Sequence, residues 1–247
     1  MRFDHQRSDW VRNSKPVTGP AFPSWQAIKQ IVIHYPGADW ASMDFNRDGT
    51  QDYRDTAVLM DNTNNYYWTQ RGYAIGYNAG ADTFGHTWEL RGDTFKCAAN
   101  KGHNEWSFAI LVIVDGDNAA TPAQVDAVRD LVAQIRVLAG WNVPIVGHGQ
   151  VGSTSCPGLG IRTQLAAGAF EPRPELPTPV LKLGDRGDRV AVLRDHLVFW
   201  KMAAKPGRIF TPATRLAVKR WQRSLGVPVT GRYDVPTFDA YRKQVGQ

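Results

Sequence analysis

Residues 107–140 read SFAILVIVDGDNAATPAQVDAVRDLVAQIRVLAG. Phe108–Val114 is an apolar run closed by the turn-like Asp115-Gly116-Asp117, which predicts a buried strand. Thr121 suits a helix N-cap and Pro122 the first helical position. Val125, Val128, Leu131, Val132, Ile135 and Leu138 follow at helical spacing, and Gly140 supplies the stop. Upstream, Ile31–His34 before Tyr35 reads as another short strand, and downstream so does Ile145–Val146 before Gly147. Strands separated by helices predict an α/β domain. Tyr66-Tyr67-Trp68 reads as a short helix face packed into the core.

The 247 residues carry 29 Lys+Arg, 23 Asp+Glu and two cysteines. That length suits one large or two small domains, and a hydrophobic fraction of 43% excludes wholesale disorder. Two cysteines make neither a disulfide framework nor a four-Cys zinc module. No apolar run approaches a bilayer span. The opening MRFDHQRSDW has no apolar core, so the expectation is synthesis in the cytoplasm without a secretory signal.

The net charge of +6 belongs to one end of the chain. Residues 1–170 hold 14 Lys+Arg against 16 Asp+Glu, whereas residues 181–247 hold 14 against five Asp and no Glu. Between them, EPRPELPTPV (171–180) carries four prolines, a composition that favours an extended spacer. The predicted organisation is therefore a domain at 1–170, a linker at 171–180 and a basic domain at 181–247. The last looks all-helical. Val190, Leu193, Leu197 and Val198 are expected on one helix face, and Leu216, Ala217, Trp221 and Leu225 on another, capped by Thr211-Pro212. A weak repeat relates Gly207-Arg208-Ile209 to Gly231-Arg232-Tyr233, each a turn leading into a helix. Such a unit suits binding better than a second catalytic activity.

Two of the six histidines, His34 in IVIHY and His148 in IVGHG, fall where strands should end, a common place for ligands. Cys156 follows in GHGQVGSTSCPG. Two His and one Cys make a three-ligand set for zinc with a fourth position left for water, although this spacing alone is not specific. His5 and His86 read as surface residues, and Cys97 as a buried free thiol.

Seven pieces in order resemble the zinc-dependent N-acetylmuramoyl-L-alanine amidases, the type shared by phage lysozyme-like amidases and peptidoglycan recognition proteins. They are IVIHY with His34, GYAIGYN with Tyr77, WELRG (Trp88–Gly92), GHN (Gly102–Asn104), the strand SFAILVIVDGD, the TPAQ helix start, and GHGQVGSTSCPG with His148, Thr154 and Cys156. Residues 181–241 in turn resemble the peptidoglycan-binding helical module that accompanies wall hydrolases. The resemblance implies a central, mainly mixed β-sheet flanked by helices, followed by a small three-helix domain. It implies zinc on His34, His148 and Cys156, with Tyr77 and Thr154 as catalytic side chains. The implied reaction is hydrolysis of the amide between the lactyl group of N-acetylmuramic acid and L-alanine by a zinc-activated water. The glutamate that some amidases of this superfamily carry on the central strand has no match, and the register of nearby Glu105 is open. His103, Asn104 and Arg91 are the expected substrate contacts, with Lys101 and Arg91 facing stem-peptide carboxylates.

The expected whole is a monomeric phage endolysin that acts on bacterial peptidoglycan after release at lysis, with no nucleic-acid partner and no membrane insertion. A non-catalytic recognition protein and a zinc endopeptidase on the stem peptide are the alternatives. Recognition proteins of the first kind typically lose the cysteine, which is present here. Separately, DFNRDGTQDYRD (44–55) matches a calcium loop. Asp44, Asn46, Asp48, Asp52 and Asp55 fall at positions 1, 3, 5, 9 and 12, Gly49 at 6, and the Thr50 carbonyl at 7, which predicts a structural calcium ion.

Overall fold

The structure, a computed structural model, describes residues 1–172, 180–202 and 204–244. The chain divides into two compact units, Met1–Pro172 and Arg173–Gln247. Residues 173–179 of the expected linker lie outside the described residues. Among the described residues no helix is long and apolar enough to cross a membrane.

The first unit runs α1 (Arg7–Trp10), β1 (Gln30–His34), α2 (Tyr53–Arg71), β2 (Ala79–Ala81), β3 (Thr87–Glu89), β4 (Ser107–Val112), α3 (Pro122–Ala139), β5 (Ile145–Gly147) and α4 (Gly158–Ala166). The strands form one mixed sheet in the order β3-β2-β4-β1-β5. β1 lies parallel to both β4 and β5, β2 is parallel to β4, and only β3 runs antiparallel.

β4 is apolar from Phe108 onward because both faces of the sheet are covered. Phe108, Ile110 and Val112 share a core with Val125, Val128, Leu131 and Ile135 of α3. Leu111 and Ile113 point the other way, into a core with Leu59 and Met60 of α2 and Trp88 of β3. α3 begins and ends as its sequence signals require. Thr121 Oγ1 accepts from Gln124 N (3.2 Å), Gln124 Oε1 accepts from Thr121 N (2.9 Å), and Gly140 stops the helix at φ 78°.

α2 departs from expectation. Tyr66-Tyr67-Trp68 is the last stretch of a 19-residue helix, and Tyr66 is 55% exposed rather than in the core. The apolar pattern did not reveal this helix because its buried face includes Thr56, Asp61, Thr63 and Asn64. Asp61 and Asn64 are held by partners distant in sequence. The Asp61 carboxylate accepts from the backbone N–H of Arg12, Asn13 and Ser14 and from Ser14 Oγ, at 2.5–3.1 Å. Burial pushes this carboxyl up, but the hydrogen bonds outweigh it and hold Asp61 below the ordinary carboxylate value. His5 is likewise not a free surface residue: its ring stacks on Trp88 (4.1 Å between centroids) and on Tyr53 (5.0 Å).

The second unit comprises α5 (Asp188–Phe199), α6 (Pro212–Leu225) and α7 (Val235–Gln244). Its core holds Val190, Leu193, Leu197, Phe210, Ala217, Val218, Trp221, Tyr233 and Tyr241. Two expected core positions are turned outward: Val198 is 38% exposed and Leu216 48%. The buried stripe of α6 is Thr214, Ala217, Val218, Trp221 and Gln222, and at about 100° per residue Leu216 falls off it. The repeated Gly-Arg turns have a shared structural role. Each sets its third residue in an antiparallel bridge, Ile209 with Arg186 and Tyr233 with Leu181. The second turn is fastened from within by Gln222, which is fully buried. Gln222 Nε2 lies 2.9 Å from each of three acceptors, Thr230 Oγ1, Thr237 Oγ1 and the Arg232 carbonyl, among which it shares its two hydrogens, and its Oε1 accepts from Gly231 N (2.8 Å).

Gln222→Ala should therefore destabilise α6 and α7 by roughly 2–3 kcal/mol, since it leaves buried donors and acceptors unpaired. Hydrogen-exchange mass spectrometry of the full chain checks this: protection should fall across 212–244 and stay unchanged in β4.

Candidate metal centre and active-site cleft

β1 and β5 are adjacent and parallel, with Ile33 opposite Gly147. The residues that follow these two positions therefore emerge side by side at the carboxyl edge of the sheet, where open α/β folds gather ligands. They are His34, the last residue of β1, and His148, the first after β5. Cys156 reaches the same edge on the loop that leads into α4. Gly149 N donates to the Cys156 carbonyl (2.7 Å) and draws this loop back over the His148 turn. A Cβ on Gly149 would lie 2.9 Å from the Thr154 carbonyl oxygen and 3.0 Å from that of Cys156, so the closure requires glycine. Thr154 Oγ1 accepts from Cys156 N (3.2 Å) and steadies the cysteine backbone.

The ligand atoms of His34, His148 and Cys156 all lie within 4.8 Å of one another. Cys156 Sγ is 3.7 Å from His34 Nδ1. In tetrahedral zinc coordination, usual Zn–N and Zn–S lengths separate a nitrogen and a sulfur ligand by about 3.6 Å. The observed spacing fits that edge. Burial, reinforced by the neighbouring His148, lowers His34 to about 3 against an opposing hydrogen bond to Asn100, and burial alone lowers His148. Both rings are therefore neutral at pH 7, the form that binds metal. Burial pushes the Cys156 thiol up to about 11, against a smaller downward pull from the Tyr35 backbone. A thiolate at this position needs a cation beside it, and zinc is a cation suited to the whole donor set.

The expected calcium loop is arranged differently. Asp48 and Asp52 are ion-paired with Arg54, and both Asp55 oxygens accept backbone N–H groups, those of Asn46 (3.0 Å) and Asp52 (2.8 Å). The Asp44 and Asn46 side chains likewise accept from Gly49 N and Asp48 N, each at 2.9 Å. The guanidinium occupies the charge role that calcium would take, and Asp55 closes a capping box at the start of α2. Among the described residues the only three-residue metal set is His34, His148 and Cys156, and a calcium ion at 44–55 is not supported.

The three ligand residues line a cleft of about 830 Å³. Tyr77, Thr154 and Asn104 line it too, as does Lys101. Tyr77 lies in the loop before β2 rather than in a strand, with its ring edge-on to His34 at 5.1 Å between centroids. Burial, with Tyr67 beside it, pushes the Tyr77 phenol well above its ordinary value, so it stays a hydrogen-bond donor at neutral pH. Tyr67, Arg71 and Tyr73 complete one wall. Sequence reasoning missed these three: the aromatic pair at 66–67 was visible but read as core, and Arg71 carried no signal.

Two expected contacts are elsewhere. His103 is not among the cleft residues and sets its ring edge-on to Trp106 (5.7 Å). Arg91 is 1% exposed and donates to the carbonyls of Ala74 (2.7 Å), Ile75 (2.8 Å), Lys96 (3.0 Å) and Thr18 (3.2 Å). It ties loops together and has no reach to a substrate carboxylate. Glu105 is 58% exposed at its side chain and pairs with Lys96, and among the described residues no Asp or Glu lines the cleft.

Comparison with known proteins agrees with this geometry. Residues 24–159 match the family described as N-acetylmuramoyl-L-alanine amidase, and residues 186–240 match the peptidoglycan binding domain family. No curated protein matches the chain in sequence. Similar solved structures include wild-type Drosophila PGRP-LB, with 22% identity, a TM-score of 0.52, and 68% of this chain and 94% of that chain covered. Apis mellifera PGRP-SA has 20% identity, a TM-score of 0.54 and coverage of 66% and 93%. Human PGRP-IBETAC, solved in complex with glycosamyl muramyl pentapeptide, has 18% identity, a TM-score of 0.55 and coverage of 65% and 93%. These neighbours share the fold of the first unit. The chain thus belongs to the N-acetylmuramoyl-L-alanine amidase family and carries a peptidoglycan binding domain behind its amidase unit.

Proposed function

We propose that the chain is an endolysin-type zinc amidase that cuts the bond between N-acetylmuramic acid and L-alanine at the bacterial wall, with the basic C-terminal unit holding it there. The observation that carries this reading is the His34–His148–Cys156 set, with its ligand atoms within 4.8 Å of one another, lining an open cleft. Retention of the cysteine favours catalysis over recognition alone.

Bound zinc would supply an acidified water as nucleophile and a Lewis acid for the carbonyl oxygen. The chain's own residues do the remaining work. His34 and His148 stay neutral and present lone pairs. Tyr77, protonated across the neutral range, can donate to the oxygen on which charge develops, and the Thr154 hydroxyl lies in the same cleft. Among the described residues that line the cleft Tyr77 is a proton donor placed beside His34, so the proton for the leaving amine falls to Tyr77 or to solvent. Arg71 and Lys101 give the cleft a cationic wall that suits the carboxylates of a stem peptide. In the second unit, α6 carries Arg215, Lys219, Arg220 and Arg223 with no acidic residue, which suits an anionic wall.

Digestion of purified peptidoglycan followed by mass spectrometry tests the reaction. Free stem peptides beginning with L-alanine are expected. Cut cross-links with intact lactyl–peptide bonds would overturn the amidase reading in favour of an endopeptidase. Chelation should abolish lysis and added zinc restore it, while Cys156→Ala should abolish lysis yet leave wall binding intact. Retention of that variant on walls should weaken severalfold as salt rises from about 0.05 to 0.5 M, because screening shortens electrostatic reach.

The metal-free protein also has a predictable response to acid. Below about pH 6.5 the unfolded chain takes up a proton that folded His34 refuses until about pH 3, so protons favour the unfolded state. Stability of the chelator-treated chain should fall as pH drops through that window, before the carboxylates titrate, and melting temperature against pH measures it. A flat profile from pH 7 to 5 would contradict the buried neutral imidazole.

A further inference from the structure

Against the Nε2 side of the His34 ring sits a closed hydrogen-bonded chain of Asn100, Cys97 and Asn104, of which only Asn104 lines the cleft. Its starting point is unambiguous, because a backbone N–H can only donate. Asn100 N donates to Asn104 Oδ1 (2.8 Å), which identifies that atom as the oxygen of the Asn104 amide. The buried Cys97 thiol donates to the same oxygen (3.3 Å), with the Asn104 carbonyl as a second acceptor at 3.7 Å. The Cys97 sulfur is left as an acceptor, and Asn100 Nδ2 lies 3.5 Å from it. That orients the Asn100 amide with Oδ1 toward the ring, 3.0 Å from His34 Nε2. An amide oxygen only accepts, so the ring hydrogen must sit on Nε2. His34 Nδ1 then presents its lone pair to the side where Cys156 Sγ lies.

We propose that Asn100, oriented by Cys97 and Asn104, is a positioning residue that fixes the tautomer and aim of His34 and thereby sets the zinc affinity of the centre. The proposal rests on the zinc reading above but is separable from it. Asn100 is 1% exposed, and the opposite tautomer would set two lone pairs against each other at 3.0 Å. Partners of metal-bound histidines act in this way: they hold the ring against rotation and favour the metal-binding tautomer. Cys97 thereby gains a role as the soft acceptor that prevents the Asn100 amide from flipping.

The test uses the full-length chain. Long-range ¹H–¹⁵N spectra of the metal-free protein should show His34 protonated at Nε2 and bare at Nδ1. Chelator competition with zinc alone should show Asn100→Leu, which keeps the shape and loses the acceptor, binding roughly 10–100-fold more weakly than the unaltered protein. Asn100→Asp, which keeps an acceptor, should bind at least as tightly as the unaltered chain. A proton on Nδ1 in the unaltered protein overturns the proposal. So does a folded Asn100→Leu variant that binds zinc within twofold of the unaltered chain. If Asn100→Leu does not fold, a tenfold loss in folded Asn100→Asp overturns it instead. If the unaltered chain binds no zinc, the zinc reading fails, while the tautomer result still decides what Asn100 does.

Discussion

The parallel pairing of β1 with β5, with Ile33 opposite Gly147, is the constraint from which the site follows. In a parallel pair both strands end at the same edge, so consecutive register positions deliver His34 and His148 to adjacent places. An antiparallel arrangement would have sent one histidine to the far end of the sheet. β1 is held in place by β4 on its other side, and β4 is buried on both faces by the cores built on α2 and α3. His34 thus stands on the most deeply packed part of the unit, while His148 follows the edge strand and is half-buried.

Rigidity of that kind has a chemical consequence. A ring placed where water is scarce loses its proton, and a thiol there keeps one. The same burial therefore readies the two imidazoles for a metal and leaves the thiol dependent on one. The loop that carries Cys156 is a separate piece of construction, closed by the Gly149 hydrogen bond and steadied by Thr154. Polar groups inside the fold are held by partners rather than left exposed. Asp61 binds three successive backbone N–H groups, Arg91 binds four carbonyls, and Asn100 binds His34.

The second unit solves a smaller problem. Its helices are short, and its repeated Gly-Arg turns each contribute one bridge and one core residue or helix start. Gln222 replaces the missing bulk of a larger core with a set of directed hydrogen bonds. The basicity of the whole chain concentrates in this unit, with Arg215, Lys219, Arg220 and Arg223 on α6. The basic charge and the His34–His148–Cys156 set thus lie in different units.

What was legible in the sequence follows from local physics. The run at 108–114, the Thr121-Pro122 start and the Gly140 stop each report a constraint felt within a few residues, and the structure agrees with all three. His34 and His148 were visible as strand-end residues for the same reason. α2 was not, because a helix whose buried face is partly polar looks solvent-exposed until its distant partners are known. The calcium loop, which the structure does not support, differs in the opposite sense. Its spacing is right, but Arg54 and the capping role of Asp55 commit the carboxylates to other partners, and spacing alone does not reveal such competition. Arg91 sat inside a suggestive motif, yet burial commits it to four backbone carbonyls, and the His103 ring packs edge-on to Trp106. The sequence by itself determined β1, β4, β5 and α3, the charge division and the identities of the three metal-type donors. Only the tertiary structure decided that those donors converge, that Tyr67, Arg71 and Tyr73 wall the cleft, and that Asn100 stands behind His34. Convergence depends on strand order and direction, which pairing between residues far apart in the chain settles.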